Sequence, residues 1–210
     1  MSNSPVIAFL NKMTDLILLN IIWLISCIPV VTIGAATTAM YYVCIISIRQ
    51  GDGYVIKRYI ASFKQNFRQS TIIWLIMLLI TAVFGLDIFF WNQVHTGFGK
   101  VMLCVSMALW LLVGVIGLYV FPVLSKLEGT LISTIKNATA FAIGYFPYTI
   151  ALILLTVGFI WLNLTSLGMN AISIFIGFAL LAYLKSFFVY KVMMNHIDES
   201  FDDFLDPTDE

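Results

Sequence analysis

Four basic side chains, Lys57, Arg58, Lys64 and Arg68, fall within twelve residues between two apolar runs, and one acid, Asp87, stands inside the run that follows. These residues carry most of the chemistry this chain offers. A cluster of Lys and Arg beside an apolar segment is suited to anionic headgroups or an acidic protein surface. Each such residue near an anionic membrane is worth about 1 kcal/mol. An acid inside a membrane span is costly and is often an ion or proton site. Asp87 lies only four residues before Trp91, so the sequence also allows it to reach interfacial water or to pair with Lys100 or His95. A third set, Gly34, Ala35, Thr38 and Ala39, has small residues at four-residue spacing, which lets helices approach closely. The sequence leaves open whether that seam closes inside the chain, on a partner or on a second copy in a homo-oligomer.

Nothing else resembles a catalytic or metal-binding constellation. His95 and His196 are far apart, and there is no HExxH, GxSxG or glycine-rich phosphate loop. Cys27, Cys44 and Cys104 lie in apolar segments without CxxC spacing and read as small hydrophobes, with neither a disulfide nor a metal. We therefore expect no enzyme activity, no cofactor, no metal and no nucleic-acid partner. Without a nucleotide motif, energised transport would need a separate ATPase subunit.

The elements that must position these residues follow from composition. The chain is 61% hydrophobic and 10% charged, with mean hydropathy +0.99. Soluble domains are about 25% charged. Lipid must be the solvent for much of the surface, and in lipid only helices or closed barrels satisfy their backbone. The apolar runs are continuous rather than alternating, which excludes barrel strands. The reading is an all-α polytopic transmembrane bundle of six helices, or five, with an amphipathic cytoplasmic helix. It forms a single membrane domain over 1–210.

Residues Leu16–Ile48 are too long for one crossing, and Pro29 and Gly34 mark the break. A first helix starting near Pro5 then ends near Ile28, and a short second helix covers Gly34–Ile48; the alternative second element is a helix lying at the interface. The first run is read as a retained span rather than a cleaved signal. Further spans are Thr71–Trp91, Val101–Leu124, and Phe146–Tyr190 broken at Asn163–Asn170.

Basic residues concentrate in 49–70, which the positive-inside rule assigns to the cytoplasm, as it does Lys126, Lys136, Lys185 and Lys191. The C-terminus is then cytoplasmic. Trp23, Trp91 and Trp161 are expected near the outer interface, Trp74 near the inner one and Trp110 packed between helices. In the loop 51–70, Ile56, Ile60, Phe63 and Phe67 recur at helical spacing beside the basic face, predicting a helix in the headgroup layer. A second cytoplasmic segment repeats this weakly with Leu127, Leu131, Ile135 and Ala138. The tail, 196–210, carries seven acids from Asp198 to Glu210 and could fold back on the basic helix.

The run Ile28–Tyr42, then Gly51-Asp52-Gly53-Tyr54 and Ser62–Gln69, resembles the YesL family of small bacterial integral membrane proteins with a domain of unknown function. The resemblance implies a bacterial cytoplasmic membrane and a context of carbohydrate uptake, and it supplies no site residues. The functional expectation is an accessory or regulatory component beside a carbohydrate transporter. Its partners would be the bilayer and either transporter subunits or a cytosolic protein. The alternative is a small-solute transporter in its own right.

Overall fold

Pro29 ends the first helix. In the computed structural model, which describes residues 5–50, 54–126 and 129–193, α1 spans Pro5–Ser26 and α2 spans Ile33–Gln50. Between them Val30–Thr32 forms a single 3-10 turn. The Thr32 hydroxyl lies 2.6 Å from Ser26 O and 2.7 Å from Pro29 O, covering carbonyls the helix end leaves open. The remaining helices are α3 Val55–Gln93, α4 Gly97–Lys126, α5 Leu131–Gly144 and α6 Phe146–Thr165. Then α7, Leu167–Ile172, runs through a π-helical turn, Ser173–Gly177, into α8, Phe178–Met193. Among the described residues there is no strand, and six helical stretches are long and apolar enough to cross a membrane. The chain is an all-α, multi-pass helical membrane protein. The split at Pro29 agrees with the six-helix reading.

The centre of the bundle is α2, whose span is 67% buried, far more than any other. It packs on α1, α3, α4 and α8. Its first turns are nearly all small: Gly34, Ala35, Ala36, Thr38 and Ala39 are fully enclosed. At Gly34 a Cβ would lie 2.5 Å from Ser70 O and 2.6 Å from Trp74 Cβ. Only glycine permits α3 to come this close. The small-residue seam is thus consumed inside the chain.

That seam sets α3 antiparallel to α2, and here the structure departs from expectation. Tyr54–Arg68 is no separate helix. It is the first half of a continuous 39-residue α3, about 58 Å long against a hydrocarbon core of about 30 Å. Its inward stripe is Val55, Tyr59, Ser62, Ser70 and Ile73. Of the expected apolar stripe, Ile56, Ile60 and Phe67 are exposed, and Phe63 packs against the core. Periodicity located the helix but not which of its faces α2 covers.

Other expectations shift as well. The Trp74 indole donates to Val30 O in the α1–α2 connector at 2.8 Å, and Trp23, on the last turns of α1, reaches Thr37. The two tryptophans expected at opposite faces therefore flank one connector. Trp110 is 42% exposed and faces outward, not between helices. In α5 the buried residues are Thr134, Ala138, Phe141 and Ala142, and Ile135 borders a cavity against α3 and α4. Leu127, Glu128, His196 and the acidic tail 196–210 lie outside the described residues.

Gly34→Ala should cost about 1–3 kcal/mol by overpacking the α2–α3 contact. Gly85→Ala on the open half of α3, where a Cβ meets nothing within 4 Å, should be neutral or stabilising by up to about 1 kcal/mol. Thermal unfolding in mild detergent, followed by tryptophan fluorescence, measures both.

Candidate functional site

One buried side chain on α1 escaped the reading of the sequence. Asn20 is fully enclosed, and its carboxamide is aimed at the π-helical turn that leads into α8. Its Nδ2 donates to Ile174 O at 2.7 Å, with a longer contact to Ser173 O at 3.5 Å, and its Oδ1 accepts from Ala179 N at 2.9 Å. Ile174 and Ala179 are five residues apart, the donor–acceptor spacing of a π turn. The Asn20 amide is thus inserted between the two ends of one π-turn bond and satisfies both. Side chains inserted into the helix ladder are a recognised cause of such irregular turns. The available signal was a lone amide within Leu18-Leu19-Asn20-Ile21-Ile22, where polar side chains are expensive unless paired.

Asp87 is held differently from what its neighbours in sequence implied. Its Oδ1 accepts from Trp91 Nε1, one turn further along α3, at 3.0 Å. Its Oδ2 accepts from the hydroxyl of Ser106, a buried residue of α4. Both carboxylate oxygens are occupied by donors, and neither donor is Lys100 or His95. The arrangement clasps the far ends of α3 and α4 together. As an ion site it would first have to release Ser106.

Of the basic set on α3, Lys57, Lys64 and Arg68 are exposed and Arg58 is half-buried. At 100° per residue Lys57, Lys64 and Arg68 share a face opposite the stripe that packs on α2. Two further lysines are drawn into the bundle instead. Lys12 reaches Ser47 Oγ at 2.5 Å and stands 4.4 Å from the centre of the Tyr183 ring. Lys126, buried at the end of α4, stands 4.8 Å from the centre of the Tyr42 ring. Such cation–aromatic contacts gain strength as water is excluded. In the α1–α2 connector, burial pushes the Cys27 thiol up to about 11, so it stays protonated and a poor nucleophile near neutral pH. The structure keeps the candidates apart. Gly34, Ala35, Thr38 and Ala39 form the inner seam, the basic face lies outside α3's first half, and Asp87 closes α3's far end.

Residues 16–88, about a third of the chain, match a family described as "Protein of unknown function, DUF624". The match runs from the middle of α1 through α2 and most of α3, so it includes Asn20, the Gly34 seam, the basic face and Asp87. Comparison with curated proteins and with solved structures found no match.

Asn20→Ala would leave Ile174 O and Ala179 N without the amide that bridges them. The expected cost is about 1–3 kcal/mol, the usual range for a buried polar group left unpaired. Asn163→Ala, which removes only a 2.8 Å bond to Phe159 O of its own helix, should cost well under about 1 kcal/mol. Unfolding midpoints in detergent distinguish the two.

Proposed function

We propose that the protein is a non-enzymatic accessory or regulatory subunit that works beside a carbohydrate transporter in a bacterial cytoplasmic membrane. In this reading the first half of α3 is its docking face for a cytosolic or transporter component. The observation that carries it is the solvent-side exposure of Lys57, Lys64 and Arg68 on a helix about twice as long as the hydrocarbon core is thick. Their half of α3 continues beyond the uncharged stretch Thr71–Leu86, and the positive-inside rule favours the cytosol for it and for the C-terminus. The resemblance to the YesL family supports the sugar-uptake context. Against a transporter in its own right stands the chemistry of the interior. Asp87 is spent on Trp91 and Ser106, and the cavity between α3, α4 and α5, about 140 Å³, is lined wholly by aliphatic side chains and Met77.

The test is affinity purification of the full chain in gentle detergent. A transporter component should co-purify with the wild type. Its recovery should fall about tenfold or more when Lys57, Lys64 and Arg68 are together replaced by Glu, with the amount of protein in the membrane unchanged. If no transporter component accompanies the wild type, the reading fails.

A further inference from the structure

Between α6 and the α7–α8 segment lies an outward-opening groove of about 320 Å³. Its walls are aliphatic and aromatic, Leu154, Phe159, Leu181 and Leu184 among them, and its one side-chain hydroxyl is that of Ser173. Ser173 is 2% exposed, and its Oγ has no hydrogen-bond partner among the described residues. Tyr59, Thr71 and Ser186 carry buried hydroxyls of the same kind, but none of them lines this groove. Thr38, Thr139, Thr156 and Thr165 all donate to the carbonyl four residues before them, the ordinary way a helix absorbs a hydroxyl. Ser173 does not, because it opens the π turn. Its Oγ lies 2.8 Å from where a Cβ of Gly177 would be, and the Phe159 ring lies 3.3 Å from the same point. Serine hydroxyl, bare glycine and aromatic edge together make the floor of the groove.

We propose that this groove is a lipid site, taking one acyl chain of a membrane glycerolipid with the ester carbonyl accepting from the Ser173 hydroxyl. Position and size select that occupant. Ser173 lies five residues, about 7.5 Å, inside the Gly168 end of its candidate span, near the depth at which lipid ester groups meet the hydrocarbon. From Ser173 to Leu184 the groove follows eleven residues of helix, about 16 Å, which is close to half of a 30 Å hydrocarbon core. One leaflet's worth of chain therefore fits between the hydroxyl and Leu184. The volume lies at the lower limit for small-molecule pockets, which suits a single chain. The lining carries no charge, so nothing in the groove would hold a polar solute. Asn20 belongs to the same device from the other side of α8. By bridging Ile174 O and Ala179 N it maintains the π turn that lifts Ser173 off the α-helical register.

Gly158 offers a direct test. It lines the groove, and a Cβ there meets nothing within 4 Å, so a larger side chain enters the groove without disturbing the backbone. The full chain, purified in mild detergent and weighed by native mass spectrometry, should retain one glycerophospholipid per chain. Gly158→Leu should lower that occupancy about tenfold and Ser173→Ala about fivefold. Gly114→Leu, equally open but on α4, should leave it unchanged. In vesicles, a phosphatidylglycerol carrying a diazirine on one acyl chain should cross-link to peptides between Leu154 and Leu184 in the wild type. Any one of three results overturns the proposal. They are occupancy in Gly158→Leu equal to the wild type, equal loss of lipid in Gly114→Leu, and a wild-type mass of two chains that Gly158→Leu separates. Should Gly158→Leu not fold, Ser173→Ala and the cross-link positions decide.

Discussion

The approach of α3 to Gly34 is the contact from which the rest of the arrangement follows. A Cβ at that position would stand well inside contact distance of both Ser70 O and Trp74 Cβ, so the two backbones meet without side chains between them. Helices in lipid gain nothing from burying apolar surface against one another, since the tails are equally apolar. Close packing of small residues is what holds them. The seam fixes α3 antiparallel to α2 and makes α2 the enclosed axis of the bundle. It also brings Trp74 to the α1–α2 connector and turns Lys57, Lys64 and Arg68 away from α2.

Around that axis the structure repeatedly supplies with side chains what irregular backbone cannot supply for itself. In a hydrocarbon environment each unpaired N–H or C=O is costly, so every departure from α-helix needs a polar group close by. Thr32 and Trp74 serve the connector, and Asn20 serves the π turn of α8. Asp87 and Ser106 do the same for each other between α3 and α4. Other buried hydroxyls, those of Thr38 and Ser125 among them, bond to carbonyls of their own helices. Ser173 stands out because it lines a groove and has nothing described to bond with.

The elements were largely legible in the sequence. Hydropathy located the apolar runs, and Pro29 marked the division between α1 and α2, because a residue without an N–H and with a fixed φ cannot continue a helix. The spacing of Gly34, Ala35, Thr38 and Ala39 marked a close contact. Helix faces were legible less often. The stripe Ile56, Ile60 and Phe67 is genuine and exposed, but the spacing did not show that Phe63 beside it packs against the core; within lipid, hydropathy does not distinguish inward from outward at all. That ambiguity misplaced Trp110. Asn20 was visible as a lone amide in an apolar run, yet its partners lie more than 150 residues away and no local pattern announces them.

The sequence by itself determined the solvent and the helical class, and bounded the long apolar helices at five or six. These depend on composition and on the length of chain needed to cross a hydrocarbon layer, which are properties of segments. Tertiary structure alone decided which face of each helix is covered, that the basic stretch continues into α3 as one rod, and that Asn20 completes a π turn on α8. Those outcomes depend on shape complementarity and on hydrogen bonds between distant segments, and in a lipid solvent hydrophobicity cannot substitute for either.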